Sequence, residues 1–242
     1  MLRALIFALG LLPAAASANE AAIRKALEPL LAARIGEIRP APIAGLFEVH
    51  VQTEDGARIL YTDARASYVI QGNLYEPRTG RDLTGERLRK LSEVPFDALP
   101  LDQAVKIQRG NRKRVLAVFS DPYCPACRQL EKTLQQVDDV TIHIFMIPVI
   151  RPELADHSKA VWCSPDRAGA WLDLALRGKP PAAKAACDNP VEENVQLARR
   201  LRVQATPTLI LPNGERHEGG LPLAELIRRL DHAAATQSAM PR

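Results

Sequence analysis

The sequence lacks a second long apolar run, a large excess of either charge and any internal repeat. After the first 18 residues, charged residues interrupt every apolar stretch, which excludes a conventional transmembrane helix of about 20 residues. The net charge is only +4 and the basic residues are spread along the chain, so no nucleic-acid-binding groove is expected. Hydrophobic residues, by contrast, make up 47% of the chain, which is enough for buried cores.

Residues 1–18 have the pattern of a cleavable signal peptide. Arg3 is basic, residues 4–12 form a short apolar run that Pro13 breaks, and Ala16 and Ala18 make a small-residue cleavage site. We therefore expect cleavage after Ala18 and an exported mature protein. A retained membrane anchor is the alternative, but this apolar run is too short to span a bilayer.

Residues 19–77 are predicted to form a small α+β unit on an antiparallel sheet. One helical face carries the apolar side chains Ile23, Leu27, Leu30 and Leu31. The further elements are an alternating strand at 47–52, a turn at Asp55 and Gly56, a strand at 58–62, and short strands at 67–71 and 74–75. A unit of about 60 residues buries only about 60% of the surface of its unfolded chain, which is a physical motive for dimerisation.

Residues 78–100 are predicted to be a helical linker. Residues 83–94 have helical spacing and many charged side chains, and Pro95 and Pro100 follow. A charged helix between two folded units is typical of a solvent-exposed linker.

Residues 101–235 are predicted to form an α/β domain with a helical insertion, and residues 236–242 a flexible tail. The elements are a buried strand at 115–119, a helix at 124–137, a buried strand at 140–147, helices between 152 and 202, a strand at 208–211, a hairpin at Asn213 and Gly214, and a closing helix at 222–235.

The most informative motif is Cys124-Pro125-Ala126-Cys127, which follows a buried strand and a turn and begins a helix. Free N–H groups and the dipole at a helix N-terminus favour the thiolate form of Cys124, which makes it the candidate exposed nucleophile. Cys127 lies one turn deeper and is the candidate resolving thiol. Pro125 suits the first helical position because it has no N–H to lose.

Other readings of the four cysteines stay open at this point. Four cysteines in an exported chain indicate an oxidising compartment, and they can pair in three ways. A C-x-x-C pair also forms half of many zinc sites, but Cys163 and Cys187 supply no second pair of short spacing. Two inert thiols, or a purely structural local disulfide, are the remaining alternatives. The order of strand, turn, cysteine pair and amphipathic helix favours redox chemistry.

The cysteine motif is accompanied by Thr206 and Pro207, which precede a predicted strand. An X-Pro bond can be cis, although a trans proline is commoner at such a position. Residues 119–130, together with Thr206 and Pro207, resemble the active-site helix and cis-proline loop of the thioredoxin fold.

Nearly all of the mature chain resembles the periplasmic disulfide isomerases of the DsbC/DsbG family, and the DsbC branch more closely. Residues 39–45 resemble the entry to that family's N-terminal dimerisation domain, and residues 61–63, 69–72 and Tyr75 resemble its strands. Residues 160–163 and 187–188 resemble the second cysteine pair of the DsbC branch.

This resemblance implies a cystatin-like dimerisation domain, a helical linker and a thioredoxin-like catalytic domain. It implies catalysis by Cys124 and Cys127, a substrate-binding cis bond between Thr206 and Pro207, and a structural disulfide between Cys163 and Cys187. It further implies a V-shaped homodimer in the periplasm that is kept reduced by a DsbD-type membrane reductase. No metal or organic cofactor is implied.

Two positions depart from the family pattern. Pro125 and Ala126 stand between the cysteines, where the DsbC branch typically has Gly-Tyr. Val118 stands where thioredoxins keep a buried acid, so removal of the proton from Cys127 must use another group or water. Glu131 is a weak candidate for that group, because a solvated helix position is the commoner environment.

The leading hypothesis is therefore a disulfide isomerase or reductase that acts on misoxidised exported proteins. A dithiol oxidase of the DsbA kind is the first alternative, and the N-terminal domain argues against it. A holdase chaperone with secondary redox activity is the second.

Overall fold

The computed structural model describes residues 13–54 and 56–239, with side chains for residues 19–54 and 56–237. The described chain divides into two compact units, with the boundary in sequence between Leu91 and Ser92. Residues 1–12 of the predicted signal peptide, and Asp55 of the predicted turn, lie outside the described residues; residues 13–18 begin the first helix. None of the described helices has the length and apolar content needed to cross a membrane.

The first unit is a helix packed on an antiparallel sheet. Its elements are α1 (Pro13–Leu31), β1 (Arg34–Pro40), β2 (Leu46–Thr53), β3 (Gly56–Asp63), β4 (Val69–Gln71), β5 (Tyr75–Glu76), β6 (Arg81–Asp82) and α2 (Leu83–Leu91). The strand order β1-β2-β3-β4 is antiparallel throughout, and β5 and β6 form a separate ribbon.

The core of the first unit follows from the apolar spacing of α1 and β2. Ile23 and Leu27 of α1 are buried against Val49 and Val51 of β2, because residues two apart in a strand share one face. Leu30, expected on the same helical face, is instead 72% exposed.

The structure divides the predicted linker segment at 78–100 between the two units. Helix α2 belongs to the first unit, where the hydroxyls of Thr84 and Tyr61 are hydrogen-bonded at 2.6 Å. Arg87 of α2 donates to the buried Glu48 at 3.0 Å. Residues 92–100 belong to the second unit and contribute the buried side chain of Phe96 to its core.

The second unit is a mixed sheet covered by helices on both faces. Its elements are β7 (Val105–Arg109), β8 (Arg114–Ser120), α3 (Pro125–Leu134), β9 (Val140–Met146), α4 (Ala155–Cys163), α5 (Arg167–Arg177), α6 (Val191–Arg200), β10 (Thr208–Ile210), β11 (Arg216–Glu218) and α7 (Leu223–Ala239). The strand order is β11-β10-β8-β9-β7, in which only the β8–β9 pair is parallel.

The central strand β8 is a continuous apolar run because both of its faces are buried. Leu116 and Val118 face the core formed with α3, α5 and α7, whereas Ala117 and Phe119 face the core formed with α6. The carboxyl end of β8 therefore leads directly into the cysteine motif. The predicted tail at 236–242 is wrong in its first four residues, since α7 continues to Ala239; residues 240–242 lie outside the described residues.

Candidate functional site

The two cysteines of the motif lie at the junction of β8 and α3. Cys124 is the residue that caps the N-terminus of α3, and Pro125 occupies the first turn. The backbone carbonyl of Cys124 accepts the N–H of Arg128 at 3.0 Å, and this bond begins the helical hydrogen-bond pattern. The unpaired N–H groups and the dipole of the first turn favour negative charge at this position.

The two thiols differ in surroundings more than in exposure. Both are free, and Cys124 is 6% exposed against 3% for Cys127, so the expected exposed position of Cys124 is wrong. Burial raises the pKa of the Cys127 thiol to about 12, against the opposing effects of a hydrogen bond from Ser120 and of the Asp121 N–H at 3.5 Å. In the free protein Cys127 is therefore a protonated thiol.

The segment with Thr206 and Pro207 lies beside Cys124, although 82 residues separate them in sequence. The thiol of Cys124 donates to the carbonyl of Thr206 at 3.3 Å, and the bond before Pro207 is cis. This proximity follows from sheet pairing, because β10 begins at Thr208 and its first residue pairs with Phe119 of β8. The structure thus brings the predicted site residues Cys124, Cys127, Thr206 and Pro207 together at one end of the sheet.

Asp121, in the turn between β8 and Cys124, is a further residue of this site. Its side chain is completely buried. One carboxylate oxygen accepts the N–H of Tyr123, and the other accepts the N–H groups of Val149 and Ile150, all at 2.7 Å. Asp-Pro is a common turn signal, so nothing in the sequence distinguishes this buried carboxylate from a solvated one.

A groove of about 360 Å³ opens beside Cys124. Its walls come from the segment that follows β9, from α6 and from the loop before Pro207. The lining residues are Cys124, Ile147, Val149, Ile150, Val195, Ala198, Arg199, Val203, Gln204, Ala205 and Thr206. Most of these side chains are apolar, and Arg199 is the one charged residue among them.

Glu131 is the second buried acid near the motif, which corrects the expectation of a solvated position. It is 2% exposed and lies four residues after Cys127 in α3. Its carboxylate accepts a hydrogen bond from the indole Nε1 of Trp171 in α5 at 3.1 Å. Burial raises the pKa of Glu131, and the bond from Trp171 opposes that effect.

The remaining cysteines are bonded to each other. Cys163 at the end of α4 and Cys187 before α6 form a disulfide with an S–S distance of 2.06 Å. It closes the helical insertion that contains α5. The four cysteines therefore separate into one free pair at the end of β8 and one disulfide in the insertion.

Comparisons with known proteins agree with this architecture. Residues 101–234 match the thioredoxin-like domain family, and residues 14–85 match the N-terminal domain of disulfide bond isomerase proteins. The predicted fold class, an N-terminal domain of this type followed by a thioredoxin-like domain, is confirmed by the two matches.

Individual relatives are named as thiol:disulfide interchange proteins. The chain is 44% identical over 200 residues to a probable thiol:disulfide interchange protein DsbC of Bordetella avium, covering 81% of this chain and 69% of the relative. It is also 44% identical to the protein of that name from Bordetella parapertussis, of which the chain covers only 65%. A crystal structure of a disulfide interchange protein from Neisseria gonorrhoeae has a TM-score of 0.52 and 43% identity, covering 55% of this chain and 98% of that one.

Proposed function

Because this chain belongs to the DsbC family of thiol:disulfide interchange proteins, we propose that it catalyses thiol–disulfide exchange on misoxidised exported proteins, as an isomerase and as a reductase. One observation carries the proposal. The Cys124 sulfur lies at the N-terminus of α3, 3.3 Å from the carbonyl of Thr206, with a second free thiol one turn further along the helix.

In the first step the Cys124 thiolate attacks one sulfur of a client disulfide. A Cys124–client bond forms, the client S–S bond breaks, and the released client thiolate takes up a proton. If that thiol then attacks another client disulfide and exchange continues until Cys124 is displaced, the client is isomerised with no net oxidation. If Cys127 attacks Cys124 instead, the client leaves reduced and the pair is left as a disulfide.

After the second outcome, regeneration of the Cys124–Cys127 dithiol requires a reductant, because two electrons have passed to the client. We assign this role to a DsbD-type membrane dithiol reductase, and the working compartment to the periplasm. We further propose a homodimer that pairs through the first unit. Strand β4 is a terminal strand of its sheet, and Val69 and Ile70 on it are 39% and 52% exposed. Such an edge is a ready site for strand pairing.

The decisive test is trapping of the covalent intermediate. A Cys127→Ala variant should accumulate mixed disulfides with a client that has scrambled disulfides, whereas Cys124→Ser should form none and should lose all exchange. Cys163→Ser/Cys187→Ser is the matched control and should retain exchange in folded protein. If the Cys127→Ala variant forms no mixed disulfide, the assigned roles are wrong. A Cys124–Cys127 pair that is largely oxidised in intact cells would favour the oxidase instead.

A further inference from the structure

The resolving step needs a thiolate at Cys127, and the buried acids near the motif are engaged by other partners. Asp121 accepts three backbone N–H groups, and Glu131 accepts the indole N–H of Trp171. On the face of the sheet that α3 covers, β8 contributes the apolar side chain of Val118. Hydrogen-bond donors are the remaining way in which the fold can favour the thiolate.

Two donors at the end of β8 contact the Cys127 sulfur. The hydroxyl of Ser120 is hydrogen-bonded to this sulfur, and the backbone N–H of Asp121 donates to it at 3.5 Å. Ser120 is the last residue of β8, it is only 3% exposed, and its carbonyl accepts the N–H of Ile147 at 3.0 Å. Burial raises the pKa of Cys127, and both contacts oppose that effect because they favour the ionised sulfur.

We propose that Ser120 is a catalytic residue of the resolving step, in which its hydroxyl stabilises the thiolate of Cys127 before that sulfur attacks Cys124. The inference rests on the proposed function. It deepens that function by naming the residue that sets how long a mixed disulfide lasts, and therefore how often a client is reduced before it is isomerised.

The step balances in protons and electrons. Cys127 loses its proton to solvent, and the Ser120 hydroxyl and the Asp121 N–H both donate to the ionised sulfur. That sulfur attacks Cys124, the Cys124–Cys127 bond forms and the Cys124–client bond breaks. The client thiolate leaves and takes up a proton from solvent, so the client is reduced and the cysteine pair is oxidised.

Removal of the hydroxyl should slow this step and leave the first attack unchanged. Loss of one hydrogen bond to an ionised sulfur should lower the thiolate fraction of Cys127 about tenfold. A sulfur of higher pKa is also a stronger nucleophile, which restores about threefold, so the net slowing is about threefold. The thiol of Cys124 instead donates to the carbonyl of Thr206, so its own attack does not depend on Ser120.

The test uses the full-length protein and a symmetric aromatic disulfide whose thiolates are coloured. In the first phase Cys124 attacks this disulfide and releases one coloured thiolate, at a rate proportional to the concentration of the aromatic disulfide. In the second phase Cys127 attacks Cys124 and releases the other coloured thiolate, at a rate independent of that concentration. Stopped-flow absorbance separates the two phases.

Substitutions at Ser120 then assign the second phase. Ser120→Ala should slow it about threefold and leave the first phase unchanged. Ser120→Thr and Ser120→Val have nearly the same shape but differ in the hydroxyl, so the second phase should be faster in Ser120→Thr. Ser158→Ala is the matched control and should change neither phase, because Ser158 is buried in α4 and its hydroxyl has no hydrogen-bond partner in the described part of the chain.

A client with scrambled disulfides provides an independent measurement. Ser120→Ala should hold a larger fraction of this client as a mixed disulfide at early times than the unsubstituted protein does, because release is slower. Acid quenching and alkylation preserve that fraction for electrophoresis. Ser158→Ala should match the unsubstituted protein.

An unchanged second phase in Ser120→Ala, or equal second phases in Ser120→Thr and Ser120→Val, would overturn the inference while leaving the proposed function intact. A substitution that only disturbs the fold would slow both phases, and the comparison of Ser120→Thr with Ser120→Val decides the matter if Ser120→Ala does not fold. Absence of the first phase in the unsubstituted protein would overturn the proposed function itself.

Discussion

At the scale of single residues, the state of the Cys127 thiol decides how long a mixed disulfide survives. Burial raises the pKa of Cys127 to about 12, so the protonated thiol predominates near pH 8. Attack on the Cys124–client bond requires the Cys127 thiolate. Slow release leaves time for the client's own thiols to rearrange, which favours isomerisation over simple reduction.

The low ionisation of Cys127 can be measured by alkylation. In a Cys124→Ser variant it is the one free cysteine, and iodoacetamide near pH 8 should modify it about a thousandfold more slowly than a thiol with the ordinary pKa of about 8.5. Mass spectrometry gives the extent of modification over time. The same variant unfolded in urea is the control and should react rapidly. Rapid modification of the folded variant would contradict the assigned burial.

Glu131 should make stability depend on pH in a defined direction. Burial raises its pKa in the folded state, so the folded protein holds this proton to higher pH than the unfolded chain does. Its contribution to stability is full below the ordinary value of 4.5 and is lost as pH rises towards the folded pKa. Glu131→Gln removes this loss, so the variant should gain stability relative to the parent protein as the pH rises above 4.5.

Urea unfolding at several pH values measures this difference. Glu153→Gln, at an exposed position, is the matched control and should show no such trend. A Glu131→Gln variant whose relative stability falls as pH rises would show that the carboxylate is stabilised in the fold.

The buried states of Glu131 and Asp121 could not have been predicted, because each depends on partners distant in sequence: Trp171 for Glu131, and Val149 and Ile150 for Asp121.

At the scale of elements, β8 and β9 were easy to predict because both of their faces are buried. Other strands were missed because their hydrophobic patterns are weak. The run at 115–119 lies within β8, since a central strand is apolar at consecutive positions. Strand β1 was missed because an irregular register between Ile35 and Ile38 breaks its alternation. Strand β7 alternates over only five residues, too few to stand out from the surrounding polar chain.

Helix α2 was predicted at nearly the right place, but the environment of its charged side chains was not. Its charges indicated a bridge in solvent, yet the Arg87 side chain is only 10% exposed and lies between Glu37 and Glu48. These acids belong to strands far away in sequence, so the pattern of α2 alone cannot distinguish a paired arginine from a solvated one. The site motif, in contrast, was local in sequence, and its position on α3 was predictable.

The disulfide between Cys163 and Cys187 should stabilise the insertion that carries α4 and α5. Its loop spans 24 residues. Closing a loop of this length reduces the entropy of the unfolded chain, so Cys163→Ser/Cys187→Ser should lower the free energy of unfolding by about 3 kcal/mol. Urea unfolding measures this loss, and exchange by the folded variant should persist. Lost exchange at unchanged stability would mean that this pair serves the chemistry and not the fold.

At the scale of the whole molecule, the first unit is the part least able to stand alone. Its core is the small cluster around Ile23, Leu27 and Val49, whereas the second unit has two clusters on opposite faces of its sheet. In the described part of the first unit, the large apolar side chains left exposed include Tyr68, Val69 and Ile70, on or beside the terminal strand β4. A small core and an apolar edge both favour burial against a second copy.

Ile70→Lys should therefore convert the proposed dimer into a monomer. A lysine buried at a strand-pairing interface without a partner should weaken association by about a hundredfold. Light scattering over a range of concentrations measures this shift. Leu30→Lys, at an exposed position of α1, is the control that should remain dimeric. The monomer should still reduce a small disulfide, since the site is built within the second unit, but should rearrange a client with several wrong disulfides poorly. A dimeric Ile70→Lys protein would place the interface elsewhere, and a monomer with full isomerase activity would separate catalysis from dimerisation.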